Sequence, residues 1–91
     1  MWTEAQVEKH LHKLITEAGG TTRKWTSPGR VGVPDRIVFI NDKVYFVEVK
    51  TMRGSLTVRQ QREAETLRSH GALVQCLYGE KDVEQFVESV S

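Results

Sequence analysis

A single cysteine, no long apolar run and almost no net charge mark this 91-residue chain, and each shortage excludes something. Cys76 alone cannot form an intramolecular disulfide, which fits a reducing cytoplasm. No Cys/His spacing suits a structural zinc. The apolar runs fall far short of the ~20 residues that span a membrane. Met1-Trp2-Thr3-Glu4 carries neither the basic region nor the apolar stretch of a signal peptide. Gly29-x-x-Gly32 lacks the Lys-Ser/Thr that completes a P-loop, so nucleoside triphosphate binding is not expected. Only 38% of residues are apolar, so the core must be small and a partner subunit would help it. The reading is one soluble, intracellular domain over residues 1–91.

What is present is an uneven distribution of charge. Thirteen Lys and Arg face twelve Asp and Glu, for a net +1. Residues 21–70 hold ten of the cations and only five of the anions, whereas both ends are acidic. A basic centre between acidic ends can form a phosphate-facing surface, and it can equally be a solvated face.

Thr3-x-x-Gln6 is a capping box, and Val7, Leu11, Leu14, Ile15 and Ala18 follow at helical spacing until Gly19-Gly20. A helix over 4–18 is expected, then a short strand within 21–26 and a loop at 27–32. Residues 34–40 and 43–50 are rich in Val, Ile, Phe and Tyr around Asn41-Asp42, which predicts a hairpin. Thr57-x-x-Gln60 is a second capping box, opening a helix to about His70. Residues 72–78 form a mostly apolar strand, expected to be an inner one. Val83, Phe86, Val87 and Val90 predict a last amphipathic helix. The order αβββαβα, with a helix joining the hairpin to the last strand, predicts an α/β fold whose mixed central sheet is flanked by helices.

Strand alternation then assembles a candidate site. If Asn41-Asp42 is a two-residue turn, Ile40 pairs with Lys43 and Asp35 falls directly opposite Glu48. Opposed side chains have Cβ atoms ~4.5–5.5 Å apart, and like charges there are unfavourable. A hard divalent cation with oxygen ligands, Mg²⁺ or Mn²⁺, would resolve the conflict. A surface carboxylate pair neutralised by Lys50 and Arg36 is the alternative. Lys50 lies on the same face as Glu48, able to reach a phosphate or an attacking water. Glu4 lies about 36° from the centre of the first helix's apolar stripe, where it can face the same site or simply favour the helix dipole. Gln60 points inward from the second helix, or serves only as the capping partner of Thr57. One rotamer is not expected to do both.

These residues bring a family into view. Pro34-Asp35, followed by Glu48-Val49-Lys50, resembles the Pro-Asp…Glu-x-Lys motif of the PD-(D/E)xK nucleases. Glu4, the Gly-x-Pro-Asp-Arg-Ile run at 32–37 and Leu56-Thr57-x-x-Gln60 sharpen the resemblance to the VRR-NUC (virus-type replication-repair nuclease) branch, over Glu4 to about Tyr78. The resemblance implies a restriction-endonuclease-like αβββαβ(α) core in a phage- or bacterium-encoded enzyme. It implies that Asp35, Glu48 and the Val49 carbonyl hold the catalytic metal, with Glu4 binding through water or holding a second ion. Lys50 would orient the attacking water, and Gln60 would position Lys50 or a phosphate oxygen. With no covalent nucleophile in the set, direct hydrolysis of a phosphodiester is the expected reaction.

Arg30 and Arg53 flank this site and are expected to contact DNA phosphates, with Arg23, Lys24 and Arg36 as further contacts. Trp25 can stack on a base, or belong to the core or a dimer interface. His10 and His12 point to different helix faces and are expected to be solvent-exposed, and Cys76 to be buried. A chain this small favours recognition of DNA structure over sequence. The thin core and the apolar last helix predict a homodimer, whose two sites would suit a four-way junction.

Overall fold

The computed structural model describes residues 1–91, in the order α1 (Glu4–Glu17), β1 (Thr21–Lys24), β2 (Arg36–Ile40), β3 (Lys43–Lys50), α2 (Val58–Ser69), β4 (Leu73–Tyr78) and α3 (Gly79–Val90). Both capping boxes form. Thr3 and Gln6 exchange bonds of 2.9 and 3.2 Å, and Thr57 and Gln60 exchange bonds of 2.9 and 3.1 Å. Each pair satisfies backbone N–H groups that a helix start leaves free.

Asn41 and Asp42 take φ of 53° and 62°, the two left-handed residues of a type I′ hairpin turn. Ile40 therefore pairs with Lys43, and the register runs back to Arg36 opposite Val47. β1 adds antiparallel to β2, and β4 adds parallel to β3, in the order β1-β2-β3-β4.

β4 is thus an edge strand, against the expectation of an inner one. The α2 crossover delivers it beside β3, whose other neighbour is already β2, and no strand follows to cover its far side. Its apolar character has another cause, since helices cover it on both faces: Val74 and Leu77, on opposite faces by alternation, are both buried.

One face of the sheet carries the core. Val7, Leu11 and Ile15 of α1 and Val83, Phe86 and Val87 of α3 pack on Val38, Ile40, Val47, Val49 and Leu77. Truncating a fully buried member such as Leu11 to alanine should cost about 2–5 kcal/mol. The apolar stripe of α3 is consumed in this layer, so α3 does not supply the dimer surface expected of it. The opposite face is covered only in part, by α2 over β4, with Gln60 reaching Glu48 of β3. Its uncovered half leaves the cross-strand pair Phe39 and Val44 exposed, at 39% and 42%.

Candidate active site

The alternation that buries Val47 and Val49 under α1 and α3 turns Glu48 and Lys50 to the α2 side. Both are buried, Glu48 to 5% exposure. Asp35 stands one residue before β2, continuing the hairpin register to the position opposite Glu48. Its backbone carbonyl accepts from Trp25 N–H at 3.0 Å, and its Oδ2 accepts from Val49 N–H at 2.8 Å. The backbone of Asp35 is thereby fixed by one bond and its carboxylate by the other.

Gln60 reaches Glu48 from the first turn of α2, its Nε2 donating to Glu48 Oε2 at 3.1 Å. The same amide accepts the Thr57 N–H on its oxygen at 2.9 Å. Capping and site roles are therefore served by one rotamer, contrary to expectation, because a primary amide has an acceptor at one end and donors at the other. Its partner in the site is Glu48 rather than Lys50. Lys50 Nζ lies 3.9 Å from the same Glu48 oxygen.

This constellation does not balance its charge. Burial pushes the Glu48 carboxyl up to about 8, and the negative charge of Asp35 and a hydrogen bond to it push the same way. Lys50 opposes the shift and the charge of Glu4 adds to it. Two full negative charges on Asp35 and Glu48 are therefore disfavoured in the metal-free protein. Glu4 sits at the exposed start of α1, near enough to act on Glu48 by charge. No three acidic, histidine or cysteine side chains converge as direct ligands. Two carboxylates with a neighbouring backbone carbonyl nonetheless fit an ion such as Mg²⁺, which keeps much of its coordination for water and phosphate oxygens. The alternative of a surface pair neutralised by Lys50 and Arg36 fails, since Glu48 is buried and Arg36 lies elsewhere.

The expected DNA contacts fare differently. Arg36 Nε and Lys24 Nζ both donate to Glu8 on α1, at 2.7 and 3.1 Å, on the core side of the sheet. Arg36 follows Asp35 directly and so faces the other way. Arg23 donates to Thr21 Oγ1 and the Thr22 carbonyl on the edge strand. Arg30 is tied to Glu63 of α2 at 2.7 and 3.0 Å. Arg53 is exposed in the loop after β3 and makes no ion pair. His10 and His12 are not free in solvent: His10 Nε2 lies 3.0 Å from Glu84 and His12 Nδ1 lies 2.6 Å from Thr22 Oγ1. Trp25 is half-buried, its ring 5.3 Å from that of Phe46.

Sequence reasoning missed Glu63, because its partner Arg30 is 33 residues away and no local pattern links them. It also missed Cys76 and Tyr78 as site neighbours. They sit in register beside Glu48 and Lys50, a consequence of parallel pairing. Cys76 is half-buried rather than buried, and its thiol is pushed up by burial.

The αβββαβα order, with a hairpin and a parallel fourth strand, defines a restriction-endonuclease-like nuclease fold. The VRR-NUC domain model matches residues 2–81, and the chain belongs to that family of nucleases. It is similar to "Putative nuclease p44" of Acyrthosiphon pisum secondary endosymbiont phage 1, at 44% identity over 69 residues, 75% of this chain and 74% of that one. A solved VRR_NUC domain superposes with a TM-score of 0.88 at 32% identity, covering 99% of this chain and all of the other. No helix is long and apolar enough to cross a membrane.

Proposed function

We propose that this protein is a Mg²⁺- or Mn²⁺-dependent, structure-selective DNA endonuclease that works as a homodimer on branched substrates, four-way junctions first among them. One observation carries the reading: half-buried Asp35 and buried Glu48 come together with too little positive charge to satisfy both. Asp35, Glu48 and the Val49 carbonyl would hold the ion, with Glu4 reaching it through water. A bound ion would supply a water of lowered pKa and offset the charge that grows on the phosphate. Lys50 adds a fixed positive charge on the same face, orienting the attacking water and stabilising the phosphate oxygens. Gln60 keeps Glu48 in one rotamer by donating to it, while its own geometry is set by the cap on Thr57. No side chain in the set is placed as a covalent nucleophile, so water attacks the phosphodiester directly.

The exposed pair Phe39 and Val44 supports the homodimer. Two large apolar side chains side by side on an uncovered sheet face favour burial against a second copy. A symmetric pair of sites suits the symmetric cuts of a junction.

The test uses end-labelled four-way junction, flap, linear duplex and single strand, each with Mg²⁺, Mn²⁺ or EDTA, and Glu48→Ala as control. Paired cuts in the junction that need metal and Glu48 are expected. Cutting that survives EDTA or Glu48→Ala overturns the mechanism. Preferential cutting of flaps by a monomer replaces the resolvase reading, and binding without cutting under every condition makes the chain an inert DNA-binding module. Light scattering should give a dimer that Phe39→Lys disrupts.

A further inference from the structure

Residues 29–31 and α2 form an open concave cavity of about 290 Å³, lined chiefly by Gly29, Arg30, Arg59, Arg62 and Glu63. Its construction is specific. Gly32 adopts φ +91°, and a Cβ there would lie 2.9 Å from the Arg59 carbonyl oxygen and 3.2 Å from Gln60 N. Only glycine lets the loop seat itself on the first turn of α2. The seated loop delivers Arg30 to Glu63, whose side chain is 9% exposed. A single oxygen, Glu63 Oε1, accepts from both Arg30 Nε and Nη2. Three of the five guanidinium N–H groups stay free, on a side chain that is 59% exposed. Arg59 and Arg62 have no carboxylate within 4.0 Å. Three arginines against one glutamate leave the cavity strongly positive.

The cavity and the candidate active site are built from the same two segments, on different faces of α2. On α2, the face bearing Arg59, Arg62 and Glu63 lies about 110° from Gln60, the residue that touches Glu48. Arg30 precedes Asp35 in the same loop. We propose that this cavity seats one phosphate of the bound DNA strand other than the one being cut, held by Arg59, Arg62 and the free edge of Arg30. The inference rests on the nuclease reading and goes further, assigning the contact that registers the strand against Asp35 and Glu48. Arginine donors match phosphate oxygens, and a phosphate contact positions DNA without reading its bases. The seated group is an internal phosphodiester or a terminal phosphate, which share this chemistry.

The test measures binding of a four-way junction by fluorescence anisotropy in EDTA, for the wild type and for Arg59→Ala/Arg62→Ala. Both positions are exposed, so the melting temperature should be unchanged. The Kd is expected to rise about tenfold per arginine, and the slope of log K against log salt to flatten by about 1, for the one phosphate released. In cleavage, KM should rise more than kcat falls. Single uncharged methylphosphonates, placed along the strand, should locate one linkage away from the cut that weakens the wild type but not the double variant. If only a 5′- or 3′-phosphate has that effect, the seated group is terminal. Unchanged Kd, KM and salt slope overturn the proposal, as does a methylphosphonate pattern identical in both proteins. The two readings fail separately. Absence of cutting with arginine-dependent binding removes the nuclease reading alone, whereas normal cutting without that dependence removes the cavity.

Discussion

Glu8 and Glu48 are both largely buried carboxylates, one on each side of the same sheet, and their surroundings differ in kind. Glu8 receives Arg36 at 2.7 Å and Lys24 at 3.1 Å, so its charge is matched and its lone pairs are used. Glu48 receives a neutral amide at 3.1 Å and a lysine at 3.9 Å, with a second carboxylate alongside. Ionising a buried carboxylate that is short of positive charge costs free energy. A bound divalent cation would offset that cost. The satisfied cluster reads as architecture and the unsatisfied one as chemistry.

The largest expected effect breaks the second cluster. Glu48→Gln keeps the shape and removes the charge, and should lower metal-dependent cleavage by about 10³-fold or more. Its effect on stability has the opposite sign. The folded-state value of Glu48, about 8, lies above its ordinary 4.5. The metal-free wild type therefore keeps this contribution in full below pH 4.5 and loses it as pH rises through 8, by on the order of a few kcal/mol. Thermal melts in EDTA should show Glu48→Gln equal to wild type at acid pH and more stable at pH 8. Mg²⁺ at a hundred times its Kd should restore about 2.7 kcal/mol to the wild type and leave the variant unmoved.

Gln60 sharpens the contrast, because it belongs to a helix cap and to the site at once. Gln60→Glu keeps the cap oxygen while replacing the donor to Glu48 with an acceptor. Its rate should fall about 10–100-fold with little loss of helix stability. Gln60→Ala should lose a similar factor and about 1 kcal/mol besides, read from a denaturant melt.

The smallest effects lie in the satisfied cluster. Glu8→Gln should cost about 1–3 kcal/mol of stability and leave the cleavage rate per folded molecule unchanged. Lys24→Ala, at an exposed ion pair, should move stability by no more than about 1 kcal/mol and DNA affinity hardly at all. A drop in DNA affinity for Lys24→Ala would show that the Glu8 cluster opens to the substrate.

Most of the element order was legible because its signals are local. The capping boxes at Thr3 and Thr57, the turn at Asn41-Asp42 and the stripe from Val7 to Ile15 each act within a few residues. The turn alone carried the opposition of Asp35 and Glu48, since side-chain period and turn length leave one register. β4 misled because an apolar strand covered by helices on both faces looks the same from sequence at the edge as in the middle. The helix α3 misled because an amphipathic stripe does not declare whether it meets a core or a partner.

Cations were the least legible part of the site. Ten lie between residues 21 and 70, and sequence alone cannot divide the free from the engaged. Arg36 finds Glu8 across 28 residues and Arg30 finds Glu63 across 33, which only the assembled layers bring together. Charge balance is a sum over everything nearby, so it belongs to the tertiary structure. The scarcities in the sequence carry unequal weight. One cysteine excludes an intramolecular disulfide and no helix is long and apolar enough to cross a membrane, whereas the near-zero net charge says little. On the proposed reading DNA contact falls to the arginines left unpaired, and folding places some beside buried carboxylates while leaving Arg59 and Arg62 without one.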